Sequence, residues 1–323
     1  MAYPIERKLV IAVSSSALFN LSESHAIFLE KGPKAYKDFQ EANINTILAK
    51  GVAFPFVRRF LNINKRFPKQ SPVEVVLLSR NSAATGKRVF RSIAHYGLDI
   101  TRAAFMEGES PHEYIPAFNA CLFLSANEDD VKKAIGSNFP AGTVLPSKVN
   151  DDEAEEELRL AFDFDGVIAD DESEAIYKGG DLPDFHSYEV ANAHIPHKPG
   201  PLADFFQKLS FMQKLEDKEQ EKDRNYRRII RTAIVTARNA PSHERVINTL
   251  EHWGVSANET FFLGGMKKDR ILTRLRPHMF FDDQRSHLES EAGDIPMVHI
   301  PFGIANKPNE KNTQGQDTFK NSD

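Results

Sequence analysis

Two aspartates one residue apart, Asp163 and Asp165, close the apolar run Leu160-Ala161-Phe162 and are followed by Gly166. Alternate residues of an extended segment point the same way. Both carboxylates would therefore converge at the carboxyl end of a buried strand that stops in a tight turn. That end is where open α/β sheets bind ligands. Two carboxylates held together repel unless a cation or a shared proton intervenes, so the pair points to a metal ion and to acid/base chemistry.

Other strand ends in the same half carry reactive groups. Ala233-Ile234-Val235 ends at Thr236 and leads into Ala237-Arg238-Asn239. A hydroxyl and free N–H groups at a strand-to-helix junction suit a phosphate oxygen, although a threonine there also serves as an ordinary helix cap. Thr260-Phe261-Phe262-Leu263 leads into Gly264-Gly265-Met266-Lys267-Lys268. A lysine at a helix start opposes the helix dipole. It is either a surface lysine or one aimed at a site. His278-Met279-Phe280-Phe281 ends in Asp282-Asp283-Gln284, a second acidic pair that needs a cation. Pro296 to Ile300 is a last strand candidate.

These residues need a frame, and the chain contains that frame twice. IAVSSSALFNLSESHAIF from Ile11 aligns with LAFDFDGVIADDESEAIY from Leu160, so Ser14 falls on Asp163, Ser16 on Asp165 and Ser24 on Ser173. Strand candidate Val75 to Ser79 precedes a helix with Val89, Ile93 and Tyr96 that stops at Gly97. Ala233 to Thr236 precedes one with Val246, Leu250 and Trp253 that stops at Gly254. Each set lies on one helix face, and each glycine suits a left-handed C-cap. Further on, Pro111 meets Lys268, and Ser125-Ala126 meets Asp282-Asp283.

This reads as a duplication: residues 1–149 degenerate and non-catalytic, 158–305 catalytic, with the acidic run 150–157 as a solvated linker. Each first strand is followed by a helical insert, about 22–72 and about 171–228. The second insert contains a charged stretch, Leu215 to Arg228, expected to be exposed. Residues 306–323 lack apolar periodicity and are expected to be disordered.

Composition narrows the partners. The 323 residues suit two domains of ordinary size or one large one, 41% hydrophobic and 27% charged, with a net charge of −5. There is no basic excess for a nucleic-acid polymer and no apolar run long enough for a membrane span. The start lacks a secretory signal, so a cytoplasmic protein is expected. The single cysteine, Cys121, sits beside Leu122-Phe123-Leu124 and is expected to be a buried, inert thiol.

The order strand-DxDG, strand-Thr, Gly-Gly-Lys, strand-Asp-Asp over about 158–303 resembles the haloacid-dehalogenase-like phosphohydrolase superfamily. AVSSSALF (from Ala12), AFPFVRRF (from Ala53), DGVIADDESEAI (from Asp165), FLGGMKK (from Phe262) and RPHMFFDDQ (from Arg276) resemble the cytosolic type-1 5′-nucleotidase family. The resemblance implies an α/β fold of two tandem haloacid-dehalogenase-like, Rossmann-type units with helical cap insertions. It also implies Mg²⁺-dependent hydrolysis of nucleoside 5′-monophosphates through an aspartyl-phosphate. In that scheme Asp163 is the nucleophile and Asp165 the acid/base. Mg²⁺ lies between Asp163, the backbone carbonyl of Asp165 and Asp282. Thr236 bonds a phosphate oxygen and Lys268 balances charge; the choice of Lys268 over Lys267 rests on spacing from Gly264-Gly265. Asp283 steadies Lys268 or binds the metal through water. Arg238, Asn239, Ser173 and Glu174 lie near the site in sequence and are candidate substrate or cap contacts. The alternatives are a phosphatase of another small phosphomonoester, or a nucleotide-binding regulator with little catalysis. The first copy, with serines for the aspartates, is a structural partner or a nucleotide sensor.

Overall fold

The computed structural model describes residues 4–149, 151–179, 182–288 and 294–306. Its strands are β1 (Leu9–Val13), β2 (Val73–Ser79), β3 (Arg102–Phe105), β4 (Ala120–Ser125), β5 (Ala141–Val144), β6 (Leu158–Phe162), β7 (Ile230–Thr236), β8 (Glu259–Phe262), β9 (Met279–Asp282) and β10 (Met297–His299). The first half carries helices α1 (Ser15–Leu18), α2 (Ser22–Ala42), α3 (Phe54–Arg66), α4 (Ala83–His95) and α5 (Glu128–Gly136). The second carries α6 (Glu172–Gly179), α7 (Leu182–Ala191), α8 (Ala203–Lys222), α9 (His243–His252), α10 (Asp269–Leu275) and α11 (Arg285–Leu288).

The strands form one ten-stranded sheet in the order β3-β2-β1-β4-β5-β10-β9-β6-β7-β8. Every pairing is parallel except β5 with β10, which is antiparallel. Each half thus builds five parallel strands in the same relative order, and the halves join edge to edge running in opposite directions. Parallel strands covered on both faces read as continuous apolar runs; Leu9–Val13 and Val73–Ser79 are buried at every position. The join also closes one edge of each half-sheet, which would otherwise present unpaired backbone groups.

The helices tie the halves further. α3 packs on β2 of its own half and on β6 of the other, while α8 packs on β7 and also on β1 and β4. α8 runs on through the charged stretch to Lys222. The expectation that this stretch is exposed is corrected at Glu216, which is wholly buried and accepts from the N–H groups of Ile229 (2.7 Å) and Ile230 (3.1 Å). Its charge caps the chain where it enters β7.

The acidic run between the halves is likewise not simply solvated. The Asp151 side chain is 3% exposed and accepts from Arg58 and Arg59, each at 2.8 Å, and from Lys50 at 3.1 Å. Burial works against its charge, yet Arg58, Arg59 and Lys50 hold its carboxyl down at about 2. Gly97 and Gly254 adopt φ of +63° and +65° at the ends of α4 and α9, the left-handed caps that the repeat demanded. Cys121 is buried in β4, and burial pushes its thiol up to about 12. Residues 307–323, most of the expected tail, lie outside the described residues. Among the described residues no helix is long and apolar enough to cross a membrane.

Candidate active site

The register of the second half-sheet brings the separate motifs to one end. Phe162 of β6 pairs with Ile234 of β7 and with Phe281 of β9. The next residues, Asp163 and Asp282, therefore leave the sheet side by side, and Thr236, two positions beyond Ile234, closes β7 at the same end. Asp163 donates its N–H to the Phe281 carbonyl at 2.8 Å, and its Oδ1 accepts from Phe164 N–H at 2.7 Å. The turn after it needs Gly166, whose φ is +70° and whose Cα faces Asp283. A Cβ there would lie 2.5 Å from Asp283 Oδ2.

Lys268, and not Lys267, enters this site. Lys267 is exposed, whereas Lys268 Nζ donates to Asp163 Oδ2 at 2.5 Å and to Asp282 Oδ2 at 2.7 Å. Burial alone would lower the proton affinity of that amine; the charges of Asp163 and Asp282 outweigh it and hold the lysine above its ordinary value. Burial pushes Asp163 up to about 6, against the pull of Lys268 and with the push of Asp282. Asp282 also accepts from the Gln284 N–H at 2.8 Å and faces His287 Nδ1 at 3.1 Å.

Asp283 is the odd member. It is 1% exposed, and among the described residues neither carboxylate oxygen has a hydrogen-bond partner. Burial, with the charges of Asp163 and Asp282, pushes it up to about 10. Buried carboxylates without donors are costly, and one aimed at two other aspartates is the mark of a cation site. Asp163, Asp282 and His287 each bring a ligand atom within 4.8 Å of the others. The carboxylate-rich donor set fits a hard divalent ion.

Asp165 sits apart from this cluster. Both its oxygens accept from Arg238, Nε to Oδ2 and one Nη to Oδ1, each at 2.7 Å. Arg238 is buried and its other edge donates to Glu189. Ser173 is buried too, and donates to Glu189 at 2.7 Å. Arg238 and Ser173 are thus committed to protein carboxylates. Asn239 packs its Cβ beside Gly264 and its carbonyl accepts from Ser242 Oγ at 2.8 Å. Glu174 accepts from Gln284 at 3.4 Å and adds to the negative field on Asp283. Thr236 is buried, its Oγ1 accepting from Arg238 N–H at 3.2 Å.

Sequence reasoning missed Glu189, Arg245 and His197. Glu189 has no exposed side-chain surface, accepts from Arg245 at 3.0 Å and lies 3.6 Å from His197 Nε2. Burial would raise it, but His197, Arg238 and Ser173 hold it well below the usual carboxylate range. A glutamate inside a helical insert carries no local sign of being buried; only its repeat partner, Gln40, marks the position.

A sequence model of the 5′-nucleotidase family matches residues 1–307. The chain belongs to the 5′-nucleotidase family. Cytosolic 5′-nucleotidase 1B of Homo sapiens is 36% identical over 287 residues, which cover 87% of this chain and 47% of that protein. The chain therefore spans about half the length of that curated relative. No solved structure matches. The family match runs through both halves, so the half without acidic strand ends is as much part of this 5′-nucleotidase-family chain as the half that has them.

Proposed function

We propose that this chain is a Mg²⁺-dependent 5′-nucleotidase that hydrolyses nucleoside 5′-monophosphates, AMP-like or deoxynucleotide, to nucleoside and phosphate. The observation that carries the reading is the ammonium of Lys268 joining Asp163 and Asp282 beside the unpartnered Asp283. Family membership and the cytosolic human relative support the substrate class and a cytoplasmic setting.

Asp163 attacks phosphorus and forms an aspartyl-phosphate as the bond to the 5′-oxygen breaks. Asp165 gives that oxygen a proton, then takes one from the water that attacks the intermediate. A guanidinium fork occupies one lone pair on each carboxylate oxygen, which leaves sites on Asp165 for this proton. Thr236 hydrogen-bonds a phosphate oxygen, and Lys268 balances the charge of the phosphoryl group and the nucleophile. Asp163, Asp282 and Asp283, with the Asp165 carbonyl, would hold Mg²⁺. Bound there, the ion would reduce repulsion between the phosphate and the carboxylates.

In this reading the chain is two tandem haloacid-dehalogenase-like units, 1–149 non-catalytic and 158–305 catalytic, joined by 150–157. The shared strand order of the two halves supports it. The insert at about 171–228 supplies the cap in α6 and α7. The test is phosphate release from a panel of nucleotides and other phosphomonoesters, with and without Mg²⁺, beside Asp163→Asn. Release confined to nucleotides, dependent on Mg²⁺ and abolished by Asp163→Asn is expected. Metal-independent release, or an active variant, overturns the mechanism.

A further inference from the structure

Glu189 lies on α7, outside the acidic cluster, and holds two guanidinium groups at once. Arg245 of α9 donates to Glu189 Oε1 at 3.0 Å and, through Nε, to the Ile195 carbonyl at 2.9 Å. Arg238 donates to Glu189 Oε2 and turns its remaining edge to Asp165.

The first half contains the same joint with one arm removed. By the repeat, Gln40 stands at Glu189, Arg88 at Arg245, Thr46 at Ile195, Asn81 at Arg238 and Ser16 at Asp165. Arg88 donates to Gln40 Oε1 at 3.2 Å and, through Nε, to the Thr46 carbonyl at 2.9 Å. The contacts that dock α7 on α9 are therefore reproduced between α2 and α4 with an amide. What the amide lacks is the second charged oxygen, and the first half has no second guanidinium to hold. Docking needs a carbonyl oxygen at this place; the charge is needed only where Arg238 and Asp165 exist.

We propose that Glu189 is a positioning residue for phosphoryl transfer: it fixes Arg238, whose fork in turn holds Asp165 in one orientation. The inference rests on the functional reading above. In the step concerned, an oxygen of Asp163 forms a bond to phosphorus, the bond from phosphorus to the 5′-oxygen breaks, and that oxygen takes the proton from Asp165. A displaced Asp165 slows departure of a nucleoside, which needs the proton. It matters little for p-nitrophenolate, a leaving group stable without one. kcat/KM counts events only up to leaving-group release, so the later hydrolysis of the aspartyl-phosphate does not enter the comparison.

The experiment compares Glu189→Gln with the parent on a nucleoside 5′-monophosphate and on p-nitrophenyl phosphate. Glu189→Gln keeps the docking bond that Gln40 makes, so the variant folds, with a melting temperature lowered by the lost charge between two buried guanidinium groups. Its kcat/KM falls by about tenfold or more on the nucleotide and by less than about threefold on the aryl ester. Arg238→Lys, which removes the same link from its other end, shows the same imbalance and stands in if Glu189→Gln does not fold. Asn248→Ala, which loses a bond from α9 to the Ala193 carbonyl of the insert (2.9 Å) and leaves Glu189 untouched, changes both esters equally. In a crystal structure of Glu189→Gln, Arg238 no longer forks Asp165. Equal loss on both esters in Glu189→Gln, no loss on either, or an unchanged fork overturns the proposal. A parent inactive on both esters with Mg²⁺ present overturns the functional reading itself, and this inference with it.

Discussion

The two halves share a frame and differ in what they ask of it. At the end of β1, Ser14 and Ser16 hydrogen-bond each other at 3.0 Å, and Ser15 meets Ser79 at 2.9 Å. Neutral hydroxyls satisfy one another there without help. At the end of β6, Asp163 and Asp282 share one lysine, and the Asp283 carboxyl meets no donor among the described residues. A buried carboxyl left without donors is unfavourable to the fold, so the second half carries a local instability that the first shows to be unnecessary for folding. In the proposed reading, what it gains is a place for a cation and a phosphoryl group. Arranged acidic groups of this kind are read as functional because structure alone does not require them.

The comparison breaks most sharply at Lys268. Lys268→Met leaves three buried aspartates facing one another, and the phosphoryl group loses its ammonium. Phosphate release is expected to fall by a factor on the order of 10² to 10³, measured as initial rates at saturating Mg²⁺. A variant as fast as the parent would show that the lysine is structural.

Asp283 sharpens it in stability. Its folded value of about 10 lies above the unfolded value near 3.9, so without metal the folded state binds the extra proton between these limits. Stability of the metal-free protein is therefore lowered as pH rises through that window. Asp283→Asn removes this dependence and raises metal-free stability at pH 7 by on the order of 3 kcal/mol. Added Mg²⁺ raises the melting temperature of the parent but not of the variant. Denaturant melts with and without Mg²⁺ at several pH values check both statements.

Asp151 tests how the halves depend on each other. Asp151→Ala leaves the buried Arg59 without its nearest carboxylate. The expected loss is about 2 kcal/mol, below that of a fully buried pair because Arg58 and Lys50 reach solvent. In the parent, this contribution is present above the unfolded value near 3.9 and is lost as pH falls through about 2. Urea melts at pH 7 and pH 3 should show a smaller difference between parent and variant at the lower pH.

The smallest effect belongs to the degenerate site. Ser14 Oγ caps α1 by accepting from the Ala17 N–H at 3.2 Å. Ser14→Ala should cost about 1 kcal/mol and leave phosphate release unchanged. A fall in activity without loss of stability would assign the first half a part in catalysis.

Much of this was legible in the residues. Strand ends at Asp163, Thr236 and Asp282, the repeat, and the capping glycines at Gly97 and Gly254 all rest on local rules of burial, alternation and backbone freedom. Such rules act over a few residues, so a few residues reveal them. β5 went unread because Ala141-Gly142-Thr143-Val144 is short and contains a glycine, with only its burial to mark it as a strand. That strand forms the junction between the halves, so the single continuous sheet was invisible as well.

Local residue patterns were enough to say where the charged groups leave the sheet, and in which half. Tertiary structure alone decided which of them meet. Lys267 and Lys268 have the same chemistry and adjacent places, and only the turn into α10 sends one to Asp163 across 105 residues of chain. Glu189, in an insert, reaches Arg238 only because α7 docks on α9. Contacts of this kind follow from how the whole chain closes on its core, and no local pattern records them.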